Sequence, residues 1–344
     1  MIATPGHTPE HLAYLLLDGR TPVALFSGGT LMAGGVARTD LLSPEQTGPL
    51  ARAAYRSITQ RLFTLPDDLP VHPTHGGGSF CSAAPGGERT TTIGQERTSN
   101  PLLADRPDEE TFVTRLLGGL GSYPPYFLEL RDVNRAGPSV HGPTPPPLPA
   151  LSVAEVDAAL ADGAQMVDVR QIETFAAGHV PGSLSIPFRS QFATWLGWLV
   201  RREQPVVFVA DDGPDRTDLV WAAYTVGHEH LAGELAGGIG AWHAAGRDLA
   251  RIPLVGPDAA NGRQVLDIRQ RAEYAAGHVP GAAHTELGRL TETIEAIPDG
   301  PLLVYCGHGE RAMSAASLLE RAGRCDVAVL AGGPDELGEL ESEA

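Results

Sequence analysis

The feature that most restricts this chain is a repeat. MVDVRQIETFAAGHVPGS at 166–183 returns as VLDIRQRAEYAAGHVPGA at 265–282, and ELAGGIGAWHAAG at 234–246 is answered by VLAGGPDEL at 329–337. The period of roughly a hundred residues is longer than solenoid repeats and has the length of a small domain. Each copy alternates short apolar runs (MVDV and VVFVA; VLDI and LLVYC) with helical patterns such as SVAEVDAALADG, TDLVWAAYTVG and RAMSAASLLERAG. Apolar strands interleaved with helices predict a parallel α/β sheet in each copy. The stretch RAGPSVHGPTPPPLPALS at 135–152 precedes the first copy. Its prolines cannot continue a helix or a central strand, so it reads as a semi-rigid linker. The expected divisions are residues 1–135, a linker over 136–150, and two repeats at 151–250 and 251–344.

Residues before the linker follow another pattern. AYLLL and PVALFSGG predict a hairpin, SPEQTGPLARAAYRSITQRLFTL a long amphipathic helix, and PDEETFVTRLLGGL a second helix with proline at its start. The formal net charge of −17 disfavours a nucleic acid or an anionic membrane surface as partner. No apolar run reaches the ~18 residues of a membrane span, and MIATPGHTPEHL lacks the marks of a signal peptide, so a cytoplasmic setting is expected. Cys81, Cys306 and Cys325 offer neither a disulfide framework nor a CxxC metal pair.

The chemistry-bearing stretch is LLVYCGHGERAMSAASLLERAG. An apolar strand stops at Cys306, and Gly307, His308, Gly309, Glu310 and Arg311 then open a helix. Glycines let successive backbone N–H groups turn inward into an anion-binding nest, and the helix start adds its positive end. Cys306 is thereby expected as a thiolate in a cradle for anions, with Arg311 in support. The plain alternative is a buried structural cysteine. His308 is either an acid in the chemistry or a solvated loop residue. Asp267 and Arg269 read as an ion pair at a strand end. Aligned without a gap, VVFVADDGPDR of the first copy puts Ala210 on Cys306 and Asp215 on Arg311, and Asp211, Asp212 and Asp215 would repel anions. The first copy is expected to fold and to be chemically silent. His228–Glu229–His230 resembles a metal pair in spacing but has no further ligands nearby.

On the loop CGHGERA, which fits C-x-x-G-x-R, and on LDIRQRAEYAAGHVPGA, residues from about 148 to 340 resemble tandem rhodanese (sulfurtransferase) domains. The resemblance implies that Cys306 takes a sulfane sulfur, from thiosulfate or a persulfide, and passes it to cyanide or a thiol. Arg311 then assists, the loop residues bind the sulfur group, and no cofactor is required. The loop has one residue fewer than related cysteine phosphatases, which suits a sulfur group better than phosphate.

TPGHT at the start, FSGGTL from Phe26 and HPTHGGGSFC from His72 resemble pieces of the metallo-β-lactamase fold, in its persulfide-dioxygenase and glyoxalase-II-like branch. By that resemblance His7 and His75 fall on metal-ligand histidines, and Gly76, Ser79 and Cys81 continue the second motif. Gly29 stands where the family has an aspartate, and the cluster H-x-H-x-D-H is absent from the sequence. An iron or zinc site here would therefore be an incomplete remnant. The implied architecture is the later part of an αββα sandwich, N-terminally truncated, followed by two parallel-sheet α/β domains. Half a sandwich leaves one sheet face bare, for which a homo-oligomer is one expected cover. The leading expectation is a sulfurtransferase acting on small sulfur donors and thiol acceptors. The alternatives are a metal-dependent hydrolase or persulfide dioxygenase with an accessory rhodanese, and a non-catalytic persulfide carrier or sensor.

Overall fold

A computed structural model describes residues 1–76, 80, 88–211 and 215–342. They fall into two units, Met1–Tyr123 and Pro124–Ala344. Among the described residues no helix is long and apolar enough to cross a membrane.

In the first unit β1 (Ile2–Ala3), β2 (Leu12–Asp18), β3 (Thr21–Gly28), β4 (Pro70–Pro73) and β5 (Thr91–Thr92) form one sheet in that order. β2 and β3 are the expected hairpin, turned at Gly19 with φ +60°. β3 and β4 run parallel because α1 (Pro44–Gln60) crosses between them. α1 starts on Pro44, whose missing N–H costs nothing in the first turn. α2 (Ile93–Ser99) and α3 (Glu109–Gly118) follow; the side chain of Asp108 accepts from the Thr111 N–H and caps α3. Ala13, Leu25 and Val71 of the sheet meet Ala51, Ala54 and Ile58 of α1 and Phe112 and Leu116 of α3 in one core. Alternation along β2 and β3 leaves the opposite face uncovered.

The second unit opens with α4 (Tyr126–Ala136), so the segment before the linker divides at Tyr123 rather than near residue 135. The Tyr126 ring lies where a Cβ on Gly197 would be only 2.5 Å away, and Glu129 pairs with Arg202 at 3.2 Å. The linker is also seated: Pro145 is buried and Leu148 packs against the core.

The first repeat then runs β6 (Ala150–Leu151), α5 (Val153–Ala161), β7 (Gln165–Asp168), α6 (Ile172–Ala177), β8 (Leu184–Ser185), α7 (Phe192–Leu199), β9 (Val206–Val209), α8 (Arg216–Thr225), β10 (Leu231–Leu235) and α9 (Gly238–Ala244). The second runs β11 (Leu254–Val255), β12 (Gln264–Asp267), α10 (Arg271–Ala276), β13 (Ala283–His284), α11 (Leu290–Thr293), β14 (Leu302–Tyr305), α12 (Glu310–Arg321) and β15 (Val327–Leu330). The sheets have orders β6-β10-β9-β7-β8 and β11-β15-β14-β12-β13, the same order twice, with parallel neighbours throughout. β7, β9, β14 and β15 are buried on both faces, which is why they read as unbroken apolar runs.

The copies are not independent. One hydrophobic cluster holds Phe192, Leu196 and Phe208 of the first together with Leu287, Leu290 and Met313 of the second. Polar contacts cross the same seam. The Ser314 hydroxyl donates to the Ser185 carbonyl at 2.6 Å, the Ser185 N–H donates to the Ser317 hydroxyl at 3.2 Å, and His179 Nε2 meets Glu320 at 2.9 Å.

Candidate active site

β14 ends at Tyr305, and Cys306 is the next residue, only 2% exposed. Four residues later α12 begins, so the chain reverses within Gly307, His308 and Gly309. Gly309, the N-cap, has φ +87°, a conformation costing other residues about 1–2 kcal/mol. A Cβ on it would also lie 3.1 Å from Ile172 Cδ1 of the first repeat and 3.3 Å from the Leu330 carbonyl oxygen. In this conformation the Gly309 N–H donates to Cys306 Sγ at 3.1 Å. His308 is exposed, and Gly307 and Glu310 are partly buried. Glu310 pairs with Arg189, so a side chain of the first repeat reaches the rim of the cysteine loop.

Arg311 faces back toward α10, where Nη1 and Nη2 donate to the two Glu273 oxygens at 2.6 and 2.8 Å. Burial opposes the charge on Arg311, but the Glu273 carboxylate and the Cys306 sulfur hold its guanidinium above the ordinary value. Burial likewise opposes the Glu273 charge, and Arg311 keeps that carboxyl below its usual range. Glu273 also accepts from the Gln270 N–H at 3.0 Å. Glu273 therefore fixes Arg311 beside the sulfur, a role the sequence reading missed. The signal was available inside the repeat: Thr174 stands at the same place in the first copy.

Asp267 and Arg269 form a buried ion pair with Nη2–Oδ2 2.6 Å, and Arg269 also donates to the Gly277 carbonyl at 2.6 Å. The Tyr305 hydroxyl donates to Asp267 Oδ2 at 2.5 Å. Burial and the Asp267 carboxylate push the Tyr305 phenol above its ordinary value. This network ties the end of β14 to the end of β12. Asp168 and Arg170 repeat the pair and its bond to the Gly178 carbonyl, with Val209 in place of Tyr305.

The first repeat requires one correction. Asp215 does not take the place of Arg311. Its side chain accepts from the Thr217 N–H at 2.9 Å and caps α8, which starts at Arg216. The loop from Ala210 to the helix is thus two residues longer than the loop from Cys306. An ungapped alignment could not register that insertion. Arg216 Nε donates to Glu234 at 2.5 Å and Nη2 donates to the Asp211 carbonyl at 3.0 Å. Glu234 is matched by the apolar Val329 in the second copy, so the charged partner of the loop comes from a strand in the first copy and from helix α10 in the second. Asp212 lies outside the described residues. His228, of the His228–Glu229–His230 triplet, is buried, its Nε2 faces the Val200 carbonyl, and burial lowers it to about 4.

In the first unit His7 Nδ1 contacts the Arg38 carbonyl at 2.8 Å, and His75 Nδ1 the Gly76 carbonyl at 2.8 Å. A Cβ on Gly29 would stand 3.4 Å from the His7 ring but 2.9 Å from the Ala37 Cβ, so the Ala37 methyl crowds the place from which a carboxylate would reach the histidine. Among the described residues no group of three or more His, Cys, Asp or Glu could hold a metal ion. The residues present do not fit an iron or zinc of the two-histidine, one-carboxylate kind. Ser79 and Cys81 lie outside the described residues. His11 is the half-buried hub that sequence reading passed over. Its Nδ1 meets the Thr4 and Thr30 hydroxyls at 2.9 and 2.8 Å, and its Nε2 accepts from the Gly29 N–H at 3.1 Å. Burial lowers its pKa, in keeping with that accepting role.

Comparison with known proteins matches the geometry. Residues 152–245 and 256–339, just over half of the chain, match the rhodanese-like domain family. The thiosulfate sulfurtransferase GlpE of Pseudomonas fluorescens is 42% identical over 73 residues, 21% of this chain and 67% of GlpE. The human mitochondrial persulfide dioxygenase ETHE1 is 35% identical over 101 residues, 29% of this chain, and the chain spans only 34% of its length. Among solved structures, a metallo-β-lactamase from Staphylococcus aureus superposes with a TM-score of 0.58 at 26% identity, covering 68% of this chain and 64% of that one. The chain belongs to the rhodanese family, with two rhodanese-like domains joined to a region of metallo-β-lactamase fold.

Proposed function

We propose that the second repeat moves sulfane sulfur through Cys306, from thiosulfate or a persulfide donor to a thiol or cyanide. The observation that carries this reading is the Cys306 sulfur at a strand end, receiving the Gly309 N–H at 3.1 Å under the start of α12. In the first step the Cys306 thiolate attacks the outer sulfur of thiosulfate. The new S–S bond forms as the old one breaks, and sulfite leaves with the electron pair. The persulfide then carries the negative charge on its terminal sulfur, where loop N–H groups and the helix start stabilise it. In the second step the acceptor thiolate or cyanide attacks that sulfur and Cys306 leaves as a thiolate. Arg311, held by Glu273, supplies positive charge beside the loop without being spent on a rigid ion pair to the donor. Small anionic donors and thiol acceptors are the partners, no metal is needed, and a reducing cytoplasm keeps Cys306 a free thiol.

Incubation with thiosulfate followed by intact mass measurement tests the first step. One added sulfur is expected, absent in Cys306→Ser; sulfur retained in that variant defeats the reading. A thiosulfate:cyanide assay tests turnover, and a persulfide without turnover would favour a carrier or sensor. The partial likeness to ETHE1 favours a second reading, dioxygenase or hydrolase chemistry in the first unit. It requires stoichiometric metal that is lost in His7→Ala. The expectation from Gly29 is well under one equivalent of iron or zinc.

A further inference from the structure

The cysteine loop is walled by the first repeat as well as by its own. Phe188 and Leu287 hold the same place in the two copies. Each donates its N–H to the carbonyl just past a strand end, Phe188 to Val169 at 2.9 Å and Leu287 to Ile268 at 3.1 Å. The next residue is Arg189 in the first copy and Gly288 in the second. The fold of the repeat therefore does not require an arginine here. The Arg189 side chain is half exposed and pairs with that of Glu310, which is one-third exposed. Its Nη2 also donates to Gln171 Oε1 at 2.5 Å. Gln171 directly precedes Ile172, the residue that abuts Gly309.

We propose that Arg189 of the first repeat sets the preference of the Cys306 site for doubly charged sulfur donors, by cancelling the Glu310 carboxylate at the rim of the loop. This rests on the sulfur-transfer reading above. Glu310 lies in the first turn of α12. Its charge is favourable to the helix there, but it competes with an arriving anion for the same positive end. Arg311 does not offset it, since both its Nη groups donate to Glu273. With Arg189 in place, Glu310 and Glu273 are each matched by one guanidinium. The helix start and the loop N–H groups then keep their pull on a donor. Without Arg189 the rim carries one excess negative charge, in a chain whose formal charge is already −17. Coulomb repulsion scales with the charge of the donor. An excess charge that slows a dianion about tenfold slows a monoanion at the same place only about threefold. Arg189 is thus a residue of specificity that acts through Glu310 and not on the reacting sulfur.

Two donors of different charge test this on the full chain, with sulfur loading followed by quenched intact mass. Thiosulfate is a dianion that leaves as sulfite, and benzenethiosulfonate is a monoanion that leaves as benzenesulfinate. The ratio of their second-order rate constants cancels the folded fraction and any change in the Cys306 thiol itself. Arg189→Gln is expected to slow thiosulfate about tenfold and to lower the ratio about threefold. Arg189→Lys should keep the parent's ratio, and Arg189→Gln combined with Glu310→Gln should regain it. An unchanged ratio in Arg189→Gln overturns the proposal and leaves Arg189 a contact of the seam. A ratio that stays low in the double variant also overturns it, because the arginine would then act on the donor directly. A parent that gains no sulfur from either donor defeats the sulfur-transfer reading itself, and this proposal with it.

Discussion

At Gly309 three requirements meet: a backbone with φ +87°, an N–H aimed at the Cys306 sulfur, and no room for a side chain beside Ile172 and Leu330. Gly309→Ala should therefore lower the rate of persulfide formation by about five- to thirtyfold, because a 1–2 kcal/mol backbone penalty acts on the donor itself. Circular dichroism should stay near the parent's. A variant with parent-like kinetics would show that the N–H is dispensable. The silent copy makes the complementary case. Ala210→Cys in a Cys306→Ser background should show no cyanide-dependent turnover above background. The loop there is two residues longer, Arg216 is committed to Glu234 and the Asp211 carbonyl, and Thr174 offers no counterpart of Glu273. Parent-like turnover in that double variant would break the account of the loop. The nucleophile and its loop were legible because Cys, Gly and Arg are read by type and spacing. Glu273 was not, because its partner lies 38 residues away on another helix.

At the level of elements, His228 illustrates how burial fixes a connection. It sits between α8 and β10, neutral, with Nε2 toward the Val200 carbonyl and Nδ1 buried without a hydrogen-bond partner among the described residues. Burial holds it near 4 in the folded chain, whereas the unfolded chain titrates it at 6.5. The unfolded state therefore binds the extra proton as pH falls from 6.5 toward 4, and stability drops across that window by up to about 3 kcal/mol. His228→Gln should flatten this part of a melting-temperature profile between pH 7.5 and about 5 relative to the parent. An unchanged slope would mean that His228 is solvated in solution. The triplet containing His228 looked metal-like only as a string; the fold turns its first histidine into a neutral buried residue.

For the whole molecule, the copies of the repeat share a core. From the repeat alone each copy would be expected to fold by itself, since each has its complete strand set. The structure instead buries Phe192 and Leu196 of one copy among Leu287, Leu290 and Met313 of the other. Gly288 marks how close the approach is, for a Cβ there would stand 2.1 Å from Trp198 Nε1. Gly288→Val should cost about 1–3 kcal/mol by overpacking that seam. Chemical denaturation should show the loss in the transition of the second unit, and persulfide formation should fall along with it, since Ile172 and Arg189 of the first copy abut the cysteine loop. A variant as stable as the parent would mean that the two copies separate in solution. The first copy, with Ala210 where the second has Cys306, thus has a physical reason to retain its fold: it supplies part of the core shared with α12.

What the sequence determined by itself was whatever local pattern controls. Apolar runs of four alternating with helical stretches specify parallel strands, prolines stop helices, and a glycine-rich turn after a strand makes a loop that cradles anions. Those rules act within a few residues, so the two rhodanese repeats, the β2–β3 hairpin and the Cys306 loop could all be read directly. The tertiary structure decided what depends on residues far apart in the chain. It paired Arg311 with Glu273, shifted Asp215 from a loop charge to a helix cap, set the Ala37 methyl against Gly29 beside His7, and fused two repeats around one core. Each of those outcomes rests on packing and desolvation, whose energies belong to neighbours in space and leave no periodic trace along the chain.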